Sequence, residues 1–471
     1  MQWQSGSRAW CGLICASLAA CSVGTPYRRP PIPLPTEWNA PVANGANAAP
    51  DTRVGVWPEA DWWHDFGSPR LDELIAQAQQ GNDDLAAAMA RVQEADAQLR
   101  IAGAPLLPTV DLGATATRER SSVPLGGLGI YNVFNPVLTA SYELDFWGKN
   151  RAARDSARAA AVASRYDQQT VALTVVSSVA TTYFQALELR DRLQVARQNL
   201  ENGDKILRGL TFERDVGTAT GLDVAQQATV VALLYAAIPP LERQFKQTVY
   251  ALAVLLGRTP ESVDVTDGTL TTLKSPPVVS GLPSKLLARR PDIAAAEQQL
   301  IGANADITVA RAELFPTIEL TASGGYESSV LSSLVSPANR VYALSGGLTQ
   351  PIFHGGALRG ELAYTKARYT ELASTYHKTV LTAFSNVESA LVAARQTADQ
   401  EERQAQAVAR AKRAYEFAQI QMSAGTVNIL TVLNTENALF SAQDTLVQVQ
   451  YSRLQALVDL FTALGGGWHQ G

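Results

Sequence analysis

Cysteine is nearly absent from this chain. The 471 residues hold three, Cys11, Cys15 and Cys21, so nothing beyond position 21 can form a disulfide or a cysteine-based metal site. Histidine is almost as scarce. His64, His354, His377 and His469 stand far apart without ligand spacing, so no metal is expected. Charged residues make up 18% of the chain, and 39 Lys+Arg against 44 Asp+Glu leave a net charge of −5. That balance provides no basic field for nucleic acid. No GxSxG motif and no phosphate loop occur, since Gly148-Lys149 lacks the preceding glycine frame. The chain is therefore not expected to be an enzyme, and no cofactor is expected. After residue 21 no apolar run reaches the roughly 20 residues of a membrane helix. If the chain spans a membrane, it is expected to do so through strands.

Proline, too, is missing from two long stretches, Lys149 to Gly217 and Ala357 to Gly425. Each reads as one uninterrupted helix of roughly 65 residues, on the order of 100 Å long at about 1.5 Å per residue. Each ends in a Gly-Thr turn, Gly217-Thr218 within 216–219 and Gly425-Thr426 within 424–427, and a returning helix follows. In the first return, about Thr220 to Leu256, Pro239-Pro240 is expected to kink or break the helix.

The N-terminus accounts for the cysteines. Arg8 is the only charge before Cys21, and an apolar run from Trp10 to Ala20 ends Leu18-Ala19-Ala20-Cys21. This resembles a bacterial lipoprotein cleavage box. It makes residues 1–20 a signal peptide and Cys21 the lipid attachment site, carrying a diacylglycerol and a further acyl chain such as palmitate. Several chains together anchor stably where one is marginal. An ordinary signal peptide is the alternative. Residues 21–69 are rich in proline and tryptophan, including Pro26, Pro30, Pro31, Trp57, Trp62 and Trp63, and read as an extended lipidated arm.

Two segments change period. After a helix from about Pro69 to Gly103, with Gly81-Asn82 a point of interruption, Val110, Leu112, Ala114 and Ala116 alternate with Asp111, Gly113, Thr115 and Thr117. Past a loop containing Pro124-Leu125-Gly126-Gly127, with the glycines at 126–129 reading as an external loop, Leu138, Ala140, Tyr142, Leu144 and Phe146 alternate with Thr139, Ser141, Glu143 and Asp145. This is a period-2 hairpin over 109–147 with one charge-free face, as the wall of a membrane barrel requires. A second hairpin is expected over 317–353. A shift of 208 residues carries Pro108-Thr109 onto Pro316-Thr317, Gly217-Thr218 onto Gly425-Thr426 and Leu256-Gly257 onto Leu464-Gly465. The chain is thus a tandem duplication, repeat 1 over 70–258 and repeat 2 over 285–471, joined by a linker at 259–284. Near Phe353 the register is open between shifts of 208 and 207.

Four strands cannot close a barrel, which needs at least about eight, and an open edge in lipid leaves backbone groups unpaired. Two chains supply eight strands, whose barrel is usually filled by side chains, and three supply twelve strands and room for a lumen. The fold class read from the sequence is mainly α with a small β part. It implies a trimeric twelve-stranded barrel continued by a long helical barrel. A lipid-anchored, non-conducting coiled-coil scaffold or adaptor is the competing reading; it leaves the two amphipathic hairpins unexplained.

Further residues carry a family resemblance: Gly281-Leu282-Pro283-Ser284, Leu286-Leu287, Arg289-Arg290-Pro291-Asp292-Ile293 and Ala296-Glu297, with Pro26-Tyr27, Trp62-Trp63, Phe66, Leu255-Leu256-Gly257 and the two Gly-Thr turns. Over essentially its whole mature length the chain resembles the outer-membrane factors of tripartite exporters, the TolC-like channels, in the lipoprotein branch serving resistance–nodulation–division pumps. The resemblance implies a homotrimer in the bacterial outer membrane, with its helical barrel in the periplasm. It would act as a passive duct for drugs or other small molecules and so contribute to antibiotic resistance. It also implies a periplasmic adaptor docking at the tips Gly217, Thr218, Gly425 and Thr426, and an inner-membrane pump supplying the energy. Asp223 matches a family aspartate whose links hold the tips shut. The positions of its family partners, a tyrosine and an arginine, hold Met422 and Val427 here. Arg214 and Asp215 are then the other candidates for the gate. The acidic-ring positions hold Thr431 and Asn434, so no strongly cation-selective constriction is expected. A plain helix-start role near the macrodipole is the alternative for Asp223.

Overall fold

A computed structural model describes residues 23–33, 35, 38, 59–122, 128–276 and 283–468. Cys21, Trp57, the loop at 123–127, Gly281-Leu282 and His469 lie outside the described residues. The main elements in chain order are α1 (Pro69–Gly81), α2 (Asp83–Gly103), β1 (Thr109–Ser122), β2 (Leu128–Glu143), α3 (Lys149–Asp215) and α4 (Gly221–Leu255). They are followed by α5 (Pro291–Ala312), β3 (Thr317–Tyr326), β4 (Arg340–Thr349), α6 (Ala357–Ser423) and α7 (Ile429–Ala463). The chain divides into two compact units. One holds 90–166, 295–378 and the arm up to residue 31; the other holds 32–89, 167–294 and 379–471.

The first unit contains the sheet, in the order β1-β2-β3-β4 and antiparallel throughout. Its registers keep even-numbered residues on one face from edge to edge: Leu112 pairs with Leu138, Ala140 with Ala322, and Leu320 with Gly346. Val110, Leu112, Leu344 and Leu348 on that face are all exposed. Asp111, Glu119, Glu143 and Glu319 all fall on the other face, so the apolar face carries no acid. The duplication shift is settled at 208, because β1 and β3, α3 and α6, and α4 and α7 all start 208 residues apart. Thr109↔Ser141 likewise recurs as Thr317↔Thr349. Phe353 is therefore the counterpart of Asp145, not of Phe146.

Both hairpins are shorter than expected. β2 ends at Glu143 and β4 at Thr349. The reason in the first is Asp145, whose carboxylate leaves the strand to accept the Asn150 and Arg151 amides at the start of α3, each at 2.9 Å. Phe146 and Trp147 form the connection, and Trp147 stacks on Phe315 with centroids 4.8 Å apart. In the same unit the arm lies on α5. Arg311 Nη1 donates to the Val23 carbonyl (2.6 Å), Asn304 to that of Thr25, and Arg29 Nε to Glu297 (2.6 Å). Burial is the main cause, and the Glu297 charge the second, that raise the Tyr27 hydroxyl pKa well above its usual range.

The second unit buries the other end of the arm. Trp62 stacks on Phe461 at 5.0 Å and Phe66 packs on Phe184 at 5.1 Å. Ser68 caps α1, with Pro69 in its first turn. Asn82 separates α1 from α2, receiving the Leu85 amide and donating to the Leu255 carbonyl at 2.9 Å. α3 and α6 each run 67 residues. The expected break at Pro239-Pro240 does not occur, and α4 continues through both prolines. The carbonyls they leave without donors, on Tyr235 and Ala236, belong to exposed residues, where solvent can replace the lost bonds. Residues 259–276 are not a free linker: Leu270 is buried and its amide donates to Asp191 at 2.9 Å. The repeats differ at their starts, for Pro283–Ala288 forms 3-10 turns where repeat 1 has α1. Although no uninterrupted apolar run was expected, α3 and α4 each contain an 18-residue stretch long and apolar enough for a membrane span. Alanine, valine and leucine dominate these stretches, with few charges among them.

Candidate functional site

The two tips are built alike. Gly217 and Gly425 adopt φ of 85° and 73°, a region closed to most side chains. Each lets the next threonine turn back onto its helix. Thr218 N donates to Glu213 O at 2.8 Å and Thr426 N to Gln421 O at 2.9 Å. Gly217 N reaches Arg214 O and Gly425 N reaches Met422 O. This is the Schellman arrangement, which satisfies the last helical carbonyls. The threonine hydroxyls add a second bond to the same carbonyls, each at 3.0 Å. Space around both glycines is open, so a side chain there would project outward.

Returning helices begin at once. Thr220 and Asp223 form a capping box at α4, and the Asn428 side chain accepts the Thr431 amide at α7. The four helix ends meet on one apolar cluster of Leu210, Ala418, Ile429, Val432 and Leu433, with Ile206, Val224, Tyr415 and Met422 packed against it. The two turns are thus brought together by burial of their flanking helices.

The gate candidates are not brought together. Asp223 Oδ2 accepts from Thr220 N (2.9 Å) and Oγ1 (2.7 Å), and these bonds hold its carboxyl below the usual range. Arg214 and Asp215 pair with each other at 2.6 Å as exposed neighbours. Met422 contributes to the apolar cluster, and Thr431 and Asn434 are exposed.

Sequence reasoning missed Glu436. It is 5% exposed, and neither carboxylate oxygen has a hydrogen-bond partner. Burial pushes its pKa up to about 7. The signal was available: Glu436 stands on the helical stripe of Ile429, Val432, Leu433 and Leu439 as its only acid. The sequence motif near residue 290 resolves into fastenings. Arg290 pairs with Asp292 at 2.6 Å and donates to the Ala463 carbonyl, while Glu297 holds Arg29.

An amphipathic membrane sheet attached to 67-residue helices that return at glycine turns defines a class: channels that cross a membrane with strands and extend from it with helices. Comparison with known proteins agrees. The model of the outer membrane efflux protein family matches residues 74–258 and 282–466, one match per repeat. The pyoverdine export outer membrane protein OpmQ of Pseudomonas putida is 41% identical over 96% of both chains. The solved outer-membrane channel OprN superposes with a TM-score of 0.88 at 28% identity, covering 95% of this chain and all of that one. The Campylobacter jejuni CmeC outer membrane channel also gives 0.88, at 25% identity and 96% coverage of both. The chain belongs to the outer membrane efflux protein family. It is a channel component of efflux in the bacterial outer membrane, with the TolC-like fold.

Proposed function

We propose that three copies form a passive duct of twelve strands and twelve helical rods, which carries small molecules delivered by an inner-membrane pump through a periplasmic adaptor. The observation that carries this reading is the junction of β2 with β3, the point where repeat 1 meets repeat 2 inside one chain. β4 and β1 are edges of the four-stranded sheet, and the duplication makes them the counterparts of β2 and β3. Repeating that junction between copies leaves no edge in lipid. Exposed Leu222, Leu233 and Val254 on α4 provide a face for a neighbouring copy to cover. Native mass spectrometry of the detergent-extracted protein tests the reading: a trimer is expected, and a stable monomer would overturn it.

Adaptor docking is assigned to Gly217, Thr218, Gly425 and Thr426, with Asp223, Arg214 and Asp215 as gate candidates. The lipid anchor is assigned to Cys21. Supporting it, Val23 is held by Arg311 in the last turn of α5, six residues before β3 begins. A lipid two residues upstream of Val23 would enter the membrane where the strands do. Cys21→Ala should abolish lipid labelling; retained labelling would overturn the anchor. The relative named for pyoverdine export makes pyoverdine the first cargo to test.

A further inference from the structure

The apolar face of the sheet is free of charge from its helix-attached end up to Ala116 on β1 and Tyr342 on β4. At the opposite, loop-bearing end the same face carries Arg118, Arg120 and Arg340. All three are exposed, and no ion pair joins any of them among the described residues. The acids nearby are turned away. Glu119 lies on the other face by strand parity, and Glu327 receives the Asn135 side chain, which also belongs to that face.

The three arginines stand on the two edge strands, so their mutual placement rests on the three-copy closure proposed above. The β2–β3 register pairs Thr139 with Ser323 and Leu138 with Gly324. Carrying it across the 208-residue duplication sets Tyr342 opposite Arg120 of the neighbouring copy, and Leu344 opposite Arg118. Arg340 then lies diagonal to that Arg120. Such neighbours on one sheet face are about 7–8 Å apart. Arg118 and Arg340 thus flank Arg120 on either side, each one neighbour away and about twice that distance from each other; with no acid on their face, these guanidinium groups repel one another unless an anion stands between them. They face lipid, directly beyond the apolar band, so the complementary anion is one that lipid supplies at headgroup depth. Arginine's planar fork suits phosphate, which it can bind through two parallel bonds.

We propose that Arg118, Arg120 and Arg340 form, at each seam between copies, a binding site for the phosphate-bearing headgroup of a lipid in the outer leaflet. Each trimer would hold three such sites. They would fasten the seams, the places where no covalent chain crosses from strand to strand.

The test uses the full-length detergent-solubilised protein and follows thermal dissociation of the trimer. The additives are lipid A, lipid A stripped of its phosphates, and inorganic phosphate. Lipid A should raise the dissociation temperature, and the other two should not. In R118Q/R120Q/R340Q the half-saturating lipid A concentration should rise at least tenfold. A triple Arg→Lys variant, which keeps the charge and loses the fork, should fall between and serves if the Gln variant fails to assemble. An unchanged half-saturation in the variants, or an equal rise with stripped lipid or inorganic phosphate, would overturn the lipid site. A monomeric wild type would instead overturn the three-copy closure on which it rests.

Discussion

The Trp147 indole Nε1 donates a 2.7 Å hydrogen bond to the carbonyl oxygen of Pro316. It thereby ties the end of the first hairpin to the start of the second, 169 residues later in the chain. The ring also stacks on Phe315. Trp147→Phe keeps an aromatic ring there and strands the carbonyl, and should cost about 1 kcal/mol. Trp147→Ala loses the packing as well and should cost about 3 kcal/mol or more. Thermal melting of the purified protein measures both; equal losses would mean that the packing contributes nothing beyond the bond.

At the tip, Gly425 separates strain from docking. Gly425→Ala meets no atom but must adopt a φ near 73°, at a cost of about 1–2 kcal/mol, and should leave export intact. Gly425→Arg carries similar strain and projects a bulky cation outward. It should raise drug sensitivity at normal protein levels in the outer membrane. Unchanged resistance in the arginine variant would count against the docking assignment.

Gly257 and Gly465 are equivalent under the duplication, and both meet backbone. A Cβ on Gly257 would fall 1.9 Å from the Gly81 carbonyl oxygen, and one on Gly465 would fall 1.9 Å from that of Arg289. Either Gly→Ala change must move backbone as well as strain φ, and should cost on the order of 3–5 kcal/mol. Sharply reduced folded yield is the expected readout, and wild-type yield from either variant would contradict the close approach.

Glu436 predicts a pH dependence. Its folded pKa, about 7, lies above the usual glutamate value of 4.5, so the folded state binds the extra proton between those values. Its contribution is therefore most favourable below pH 4.5 and is lost as pH rises through 7. Tyr415, on α6, is the titratable group that faces it. Glu436→Gln should stabilise the protein at pH 8 by on the order of 2 kcal/mol and flatten the slope of stability between pH 5 and 8. An identical slope in the variant would remove the assignment.

Much of the fold was legible because it rests on short-range chemistry. The long helices, their glycine turns and the alternating strands follow from periods of 3.6 and 2 and from the place of each glycine and proline. The 208-residue shift needed only landmarks. The misreadings share a cause. Pro239-Pro240 is expected to kink or break α4; no break occurs, and the carbonyls they free belong to exposed residues. The hairpin was drawn to Trp147 because Phe146 keeps the alternation, yet Asp145 is recruited by the amides of α3. At Asp223 the capping box with Thr220 matches the helix-start role offered as the alternative to a gate, and the pairing was not legible because Thr220 marks only the start of the helix in sequence.

The residue pattern alone was enough for the class of the protein, a duplicated chain of long helices and alternating hairpins; the expected charge-free hairpin face fails at Arg118, Arg120 and Arg340. Tertiary structure decided what each polar residue is for. Glu297 holds the arm, Arg290 fastens to the last helix, Glu436 is sealed without a partner, and three arginines share the lipid face beyond its apolar band. Periodicity is a property of neighbours along the chain. These roles depend on contacts between residues far apart in sequence, or on strand parity carried across a whole sheet, and only folding brings such residues together.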